Sequence, residues 1–374
     1  MSRLKAGALS LLYSFKRLFS KAKLRLWKKL RLIRTVIIMP YSGFGNEKEF
    51  FFLGRVLSDR GIGLSHMGDS KWKNFKKMYK RFGSIEISNV KVEASFGGFT
   101  QIATTNEEGY FEFHFNLNEP IIISTPWQEI KLELIDKVLK KQKTPVIAIN
   151  KIYVSSENVR FGIISDIDDT IVPTGTARLW EMLKTTFLGN AYSRIPFPGV
   201  SAFYQSLAKG PTGIENNPFF YVSSSPWNLY DFLMEFLDIH EIPKGPLMLR
   251  DIGLSRDHFI SGSHSEHKIT QLKRILGITG NMPFILIGDS KQHDAEIYLQ
   301  IISDFPYRVK MVYIRDEDEI RNPGLKKIAD EIINSGVELL FVSDTIEASV
   351  HAISKGWILK EDIVDIAEEM SRQS

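Results

Sequence analysis

Hydrophobic and polar positions alternate with three different periods along the chain. In residues 1–34 the apolar residues mostly recur at steps of three and four, as on one face of an amphipathic helix. From residue 35 to about residue 155, short runs rich in β-branched and aromatic residues, such as 50–57 and 146–154, are separated by turn residues. These periods predict a helical leader over residues 1–34 and a β-sandwich domain over residues 35–157.

The third period begins at residue 158, where apolar runs alternate with helical patterns. Strands that alternate with helices form a mostly parallel sheet with helices on its faces. Residues 158–374 are therefore predicted to be a doubly wound α/β domain, whose ligands bind beyond the carboxyl ends of the strands. The predicted strands are 161–165, 219–222, 284–287, 309–314 and 338–342.

The charge distribution separates the leader from the rest of the chain. Residues 1–34 contain eleven Lys or Arg and no Asp or Glu. Because the whole chain has a net charge of +4, the remaining residues have a net charge of −7. A basic amphipathic helix is typical of segments that lie on an anionic membrane surface. A signal peptide fits poorly, because the apolar stretch is short, interrupted by serines and followed by Lys16 and Arg17. A transit peptide and a helix packed on the body are the remaining alternatives.

The composition excludes several classes of protein. With 43% hydrophobic and 25% charged residues, the chain is too apolar for a disordered protein and too weakly charged for a coiled coil. The absence of cysteine excludes disulfides, thiolate-bound metals and a cysteine nucleophile. No uninterrupted apolar run reaches the ~18 residues of a transmembrane helix. We therefore expect a cytoplasmic protein that associates peripherally with membranes.

A second basic segment lies between the predicted strands, at residues 71–81. Its sequence, KWKNFKKMYKR, has six basic residues and three aromatics on a predicted short helix. We interpret it as a solvated helix whose aromatic side chains cap the sandwich, and a second membrane contact is the alternative. No RNA-binding signature accompanies it, so a nucleic-acid partner is not expected.

Polar side chains follow three of the predicted parallel strands. Three carboxylates lie within residues 166–169, serines occupy 223–225, and Asp289 and Asp294 lie five residues apart. Buried carboxylates are costly unless a cation or a substrate compensates them, and oxygen ligands suit Mg²⁺. Hydroxyl and backbone donors at the start of a helix bind phosphate, although Ser225 has the alternative role of a helix cap. The strand ends therefore predict a Mg²⁺ site next to a phosphate site.

The order of these motifs resembles a known superfamily. DIDDT from residue 166, SSS from 223, the lysine of SEHKI and GDSKQHD from 288 resemble the four motifs of the haloacid dehalogenase-like hydrolases. The longer segments SSSPWNLY, GPLMLRD and GDSKQHDAEIY resemble the actin-patch-protein type phosphatidate phosphatases, which are relatives of the lipins. The opening from PYSGFGN to GRVL is similar to the β domain that precedes the catalytic domain in that family. The resemblance covers residues 36–345 and leaves the leader outside.

The resemblance implies a role for each motif residue. Asp166 is expected to be the nucleophile that forms an aspartyl-phosphate. Asp168 is expected to act first as general acid and then as general base. Ser223 would bind the transferring phosphoryl group and Lys268 would stabilise its charge, with Lys273 as a competing candidate.

The resemblance also implies a Mg²⁺ cofactor. Its expected ligands are the carboxylates of Asp166 and Asp289, the backbone carbonyl of Asp168, and Asp294 either directly or through water. Asp169 and Thr170 are expected to position the loop, because a threonine hydroxyl can bond to nearby backbone.

The substrate is less constrained by the sequence. Residues 173–218, between the first two motifs, leave room for a small cap and hence an open site. With the basic leader, this favours phosphatidate at a membrane surface. The alternatives are a soluble phosphomonoesterase acting on a phosphoprotein or small metabolite, and a non-catalytic lipid-binding module. The module is disfavoured because every motif residue is present. Nothing in the sequence sets the oligomeric state.

Overall fold

The computed structural model describes residues 33, 35–59, 61, 85–117, 119–123, 125–139, 142, 144–155, 159–171, 196–250, 264–316 and 323–373. These residues form two compact units, one built from strands up to residue 154 and the other from residue 155 onward. Among the helices in these ranges, none has the length and apolar character needed to cross a bilayer. The basic segment 71–81 lies outside the described residues, and so do the helical leader except for residue 33 and the predicted cap segment 173–218 except for residues 196–218.

The first unit is a single sheet of seven strands rather than the predicted sandwich of two sheets. Its order is β4-β3-β6-β7-β1-β2-β5, with β1 and β7 parallel and the other neighbours antiparallel. The end strands β4 and β5 also contact each other, so the sheet curls towards a barrel. The strands are β1 (Val36–Gly45), β2 (Glu49–Ser58), β3 (Lys91–Phe96), β4 (Phe99–Thr104), β5 (Tyr110–Asn116), β6 (Trp127–Leu134) and β7 (Ile147–Val154).

The main hydrophobic cluster of this unit lies on one face of the sheet, although β2 is buried on both faces at Phe50, Phe51 and Phe52. Along β5 the aromatic residues Phe111, Phe113 and Phe115 are buried and alternate with exposed polar residues. Phe113 faces Phe52 of the neighbouring strand, with ring centroids 4.9 Å apart. Because strand side chains point alternately to the two faces, this two-residue pattern buries one side of the sheet.

Two turns of the first unit join strands in different ways. Gly97 and Gly98 both have positive φ and form the hairpin turn between β3 and its antiparallel partner β4. The turn from Asn106 to Tyr110 joins β4 to β5, which are not hydrogen-bonded neighbours, so it is not a hairpin. There the Asn106 side chain accepts bonds from the Glu108 and Tyr110 N–H groups and fixes the turn locally.

The second unit contains a six-stranded, fully parallel sheet. Its order is β10-β9-β8-β11-β12-β13, which reads 3-2-1-4-5-6 when the strands are counted within the sheet. The order reverses between β8 and β11, and in open α/β sheets of this kind ligands bind outside the carboxyl ends at that point. The strands are β8 (Gly162–Ser165), β9 (Phe219–Pro226), β10 (Leu247–Arg250), β11 (Phe284–Asp289), β12 (Val309–Arg315) and β13 (Glu338–Val342).

The helices of the second unit connect and cover these strands. The N-terminal end of helix α1 (Val200–Lys209) donates two hydrogen bonds to side chains of helix α7 (Asp362–Gln373). The Gly199 N–H donates to Gln373 Oε1 at 3.1 Å, and the Ala202 N–H donates to Glu369 Oε2 at 2.7 Å. The described helices are α1 (Val200–Lys209), α2 (Tyr230–Ile239), α3 (His264–Ile278), α4 (Asp294–Asp304), α5 (Pro323–Asn334), α6 (Thr345–Ser354) and α7 (Asp362–Gln373).

Candidate active site

Three adjacent strand ends bring the predicted polar residues to one edge of the parallel sheet. Ser165, the last residue of β8, lies in register with Tyr221 of β9 and Ile287 of β11. The chain leaves β8 at Asp166, whose N–H still donates to the Ile287 carbonyl at 2.9 Å. The strand is apolar and buried on both faces, as expected for the centre of a parallel sheet. Its polar continuation is therefore held next to the ends of β9 and β11.

A buried cluster of three carboxylates and one ammonium lies at this edge. One oxygen from each of Asp166, Asp289 and Asp294 lies within 4.8 Å of the other two. Lys268 of α3 places its Nζ 2.6 Å from Asp294 Oδ1 and 2.9 Å from Asp166 Oδ1. None of the four residues is more than 3% exposed. The sequence left Lys273 as a competitor, but it lies at the surface and pairs with Asp304.

The cluster has more negative charge and more acceptor oxygens than its protein neighbours satisfy. Neither oxygen of Asp166 accepts a hydrogen bond from the described part of the chain, although Oδ1 makes the ion pair with Lys268, and Asp289 Oδ2 also lacks a donor. With Asp168, four buried carboxyl groups lie around one buried ammonium, so full ionisation of all four would leave an excess of three negative charges. Unsatisfied buried carboxylates are unfavourable. The cluster could hold a cation, and its all-oxygen donor set fits Mg²⁺.

Asp168 is held apart from the triad by two serines. Its Oδ2 accepts hydrogen bonds from Ser223 Oγ at 2.8 Å and from Ser225 Oγ at 3.2 Å. The Ser225 hydroxyl therefore bonds to Asp168, and the short 3-10 turn that precedes α2 is capped at Pro226 without a side-chain bond. The hydroxyl of Thr170 is buried and has no hydrogen-bond partner in the described residues, so the expected loop contact is not formed.

Backbone N–H groups between the end of β11 and the start of α4 fix the positions of the Asp289 and Asp294 carboxylates. Asp289 Oδ1 accepts bonds from the N–H groups of Lys291 and Gln292, and Asp294 Oδ2 accepts one from the Asp289 N–H. A Cβ on Gly288 would lie 2.5 Å from Asp294 Oδ2, so the close approach requires glycine. Asp294 is the first residue of α4, where the partial positive charge of the helix terminus favours a carboxylate.

Burial dominates the electrostatics of the site. It raises the pKa of Asp166 well above 3.8, because the opposing charge of Lys268 does not offset desolvation and the neighbouring carboxylates add to the rise. Burial also raises the pKa of Asp168, against the hydrogen bond from Ser223. For Asp289, burial and the charge of Asp294 raise the pKa to about 7.

The pKa of Lys268 is raised, although its burial alone would lower it. Desolvation alone would lower its pKa, but Asp166 and Asp294 raise it above the ordinary value of 10.5. The lysine is therefore the permanent cation of the cluster.

Three further contacts, two from Ser165 and one from Gln292, were not predicted from the sequence. The Ser165 hydroxyl donates to the Asp166 carbonyl at 2.7 Å and lies 2.8 Å from the buried Tyr204 hydroxyl of α1. Gln292 Nε2 donates to the Asp168 carbonyl at 2.7 Å. Ser165 lies next to the DIDDT motif and Gln292 lies inside GDSKQHD, so the motifs indicated where to look but not which atoms would meet.

The region that carries this site matches a known protein family. Residues 161–316 match the family model described as the catalytic domain of phosphatidate phosphatase APP1. The matched range includes every residue of the buried cluster.

Similar proteins are found in two yeasts. The chain is 34% identical to phosphatidate phosphatase APP1 of Saccharomyces cerevisiae over 164 residues, which are 44% of this chain and 27% of that protein. It is 27% identical to an uncharacterized protein of Schizosaccharomyces pombe over 244 residues, which are 62% of this chain and 38% of that protein. This chain thus spans well under half the length of each relative.

Solved structures are more distant. A carbohydrate acetylesterase from Xanthomonas citri is 8% identical with a TM-score of 0.27, over 80% of this chain and 66% of that chain, which is too low to indicate a shared fold. The family model and the Saccharomyces cerevisiae relative carry the same description, phosphatidate phosphatase APP1. Residues 161–316 are therefore similar to the catalytic domain of that phosphatase.

Proposed function

We propose that the chain is a Mg²⁺-dependent phosphatase that hydrolyses phosphatidate to diacylglycerol at a membrane surface through an aspartyl-phosphate. The observation that carries the proposal is the buried cluster of Asp166, Asp289, Asp294 and Lys268, inside the region that matches the family. An excess of buried carboxylates suits a reaction in which a cation and a phosphoryl group enter together. We further propose that the parallel sheet and its helices form a doubly wound haloacid dehalogenase-like domain.

In the first step, a carboxylate oxygen of Asp166 attacks phosphorus. A new bond forms between that oxygen and phosphorus, and the ester P–O bond breaks. Asp168 donates its proton to the departing alkoxide, so the lipid leaves as an alcohol. Burial raises the pKa of Asp168, which is the direction that favours the protonated form of a general acid.

In the second step, water hydrolyses the aspartyl-phosphate. The ionised Asp168 takes a proton from the water, the water oxygen bonds to phosphorus, and the bond to Asp166 breaks to release inorganic phosphate. Both serine bonds fall on Asp168 Oδ2, which leaves Oδ1 as the oxygen that we assign to proton transfer.

The remaining residues stabilise charge. The positive charge of Lys268 offsets the charge of the Asp166 carboxylate before attack and that of the phosphoryl oxygens afterwards. The Ser223 hydroxyl turns away from Asp168 and donates a hydrogen bond to the phosphoryl group. Mg²⁺ would be held by Asp166, the Asp168 carbonyl, Asp289 and Asp294. It would neutralise the excess negative charge of the carboxylates and polarise the phosphoryl oxygens. The basic leader, residues 1–34, supports action on an anionic bilayer.

The test is phosphate release from a panel of substrates, with and without Mg²⁺. The panel contains phosphatidate vesicles, lysophosphatidate, a phosphopeptide, a sugar phosphate and a soluble aryl phosphate. Asp166→Asn should abolish release from every substrate, because it removes the nucleophile while conserving volume. Asp330→Asn, on an exposed position of α5, is the matched control and should behave as wild type.

The panel also separates the alternatives. Turnover of the soluble substrates alone would show that the substrate is a soluble phosphomonoester and not phosphatidate. Full activity of Asp166→Asn would contradict the assignment of Asp166 as the nucleophile. Full activity in excess chelator would contradict the requirement for a metal ion. Vesicle binding without any turnover would favour a lipid-binding module.

A further inference from the structure

Gln292 bonds to both loops that form the carboxylate cluster. Its side-chain Nε2 donates to the Asp168 carbonyl at 2.7 Å, and its backbone N–H donates to Asp289 Oδ1 at 2.9 Å. The side chain is half-buried, so it spans the two loops from the solvent side of the buried cluster. Lys268 connects the same loops from within, through Asp166 and Asp294.

The bond to Asp168 completes a three-point attachment of that residue. Ser223 and Ser225 hold its carboxylate, and Gln292 holds its carbonyl. An amide N–H to carbonyl bond constrains the peptide plane, which the serine bonds to the side chain do not. With its carbonyl and its carboxylate both fixed, the carboxylate of residue 168 has little freedom of position relative to Asp166.

The backbone directly after Asp168 takes an uncommon conformation. Asp169, the next residue, has φ of 58°, in the left-handed region that a residue with a side chain rarely adopts. Thr170, which could have tied the loop locally, leaves its hydroxyl without a hydrogen bond in the described part of the chain. The contact from Gln292 therefore adds a bond from the Asp289 loop to the local bond from the Ile171 N–H to the Ile167 carbonyl.

We propose that Gln292 is a positioning residue that holds the Asp168 peptide, and with it the proton-transferring carboxylate, against the Asp289 loop. The inference rests on the proposed function, since it concerns the geometry of that reaction. Gln292 has no assigned contact with the substrate. Loss of its amide should therefore lower kcat and leave KM unchanged.

Two variants remove the donor in different ways. Gln292→Met keeps the length of the side chain without an N–H, and Gln292→Glu keeps its shape but sets a carboxylate against the Asp168 carbonyl. Gln300→Met is the matched control, because Gln300 is exposed on α4 just beyond the site. The readouts are kcat and KM on a soluble aryl phosphate with Mg²⁺, melting temperature, and hydrogen–deuterium exchange of the peptide that covers residues 166–171.

The expected result is a fall in kcat of about 10- to 100-fold in both Gln292 variants, the range for a displaced catalytic group. KM and melting temperature stay near wild type, and exchange of residues 166–171 accelerates. Gln300→Met changes none of these. Unchanged kcat and exchange in both variants would overturn the inference, and so would an equal loss in the control.

The exchange measurement needs no turnover, which keeps this inference separate from the proposed function. If wild type hydrolyses nothing, the proposed function fails, and unaltered exchange in Gln292→Met would overturn the positioning role as well. If Asp166→Asn abolishes hydrolysis while both Gln292 variants retain full kcat, only the positioning role fails. If one variant does not fold, the other decides.

Discussion

Raising the pH without divalent cations should destabilise the folded chain, and Mg²⁺ should reverse the effect. The reason is the Asp289 carboxyl, whose pKa is about 7 in the fold and 3.8 ordinarily. Between these values the folded protein holds a proton that the unfolded chain has released. The unfolded state then binds fewer protons, so stability falls as pH rises through this window.

The magnitude follows from the difference between the two pKa values. At ~1.4 kcal/mol for each pKa unit, the full loss is about 4 kcal/mol from Asp289 alone. About 3 kcal/mol of this falls between pH 5 and pH 8, because the unfolded chain is already ionised at pH 5. The raised pKa values of Asp166 and Asp168 act in the same direction.

The assay is urea denaturation at pH 5 and pH 8, in chelator and in excess Mg²⁺. In chelator, wild type should lose at least ~3 kcal/mol between the two pH values, and Mg²⁺ at about 100 times its Kd should restore ~2.7 kcal/mol at pH 8. Asp289→Asn should remove the share of the loss that comes from Asp289 and leave that of Asp166 and Asp168, and the exposed control Asp330→Asn should leave the whole loss unchanged. Equal unfolding free energies at both pH values in chelator would refute the assigned burial of the carboxylates, and no effect of Mg²⁺ would refute the cation site.

Three further predictions concern single changes elsewhere. Lys268→Met should lower the unfolding free energy in chelator by about 3–5 kcal/mol, measured by urea denaturation, because it leaves buried carboxylates without their ammonium; an unchanged value would contradict the ion pairs. Gly288→Ala should cost about 1–3 kcal/mol and weaken Mg²⁺ stabilisation, since its Cβ would displace Asp294; thermal shifts with and without Mg²⁺ measure both, and wild-type shifts would show that the loop adapts. Deleting residues 1–34 should reduce turnover on anionic vesicles and leave aryl phosphate hydrolysis unchanged; equal sedimentation of both proteins with vesicles would reject the membrane role.

The parallel sheet was the more predictable part of the fold. All five of its predicted strands are present, because a central strand such as β8 is a short apolar run that ends in polar residues. The first unit was predicted less well. Alternation of polar and apolar residues identifies a strand and its buried face but not its neighbours, so the parallel pairing of β1 with β7 could not be foreseen.

The candidate site shows the same division. Asp166, Asp289 and Asp294 were predicted to meet because carboxyl ends of neighbouring parallel strands share one edge. The amide contact of Gln292 depends on the path of the turn before α4, where His293 takes a φ of 64°. Such a backbone path follows from tertiary packing, which leaves no periodic trace in the sequence.

The hydrogen bonds from α1 to α7 can form only late in the synthesis of the chain. The acceptors on Glu369 and Gln373 lie 167 and 174 positions after the N–H groups that they bind. A ribosome therefore produces α1 long before the side chains that complete its first turn. Contacts between such distant positions require the closure of a large loop, which slows folding. During translation, the first turn of α1 therefore stays without these two bonds until α7 has been synthesised.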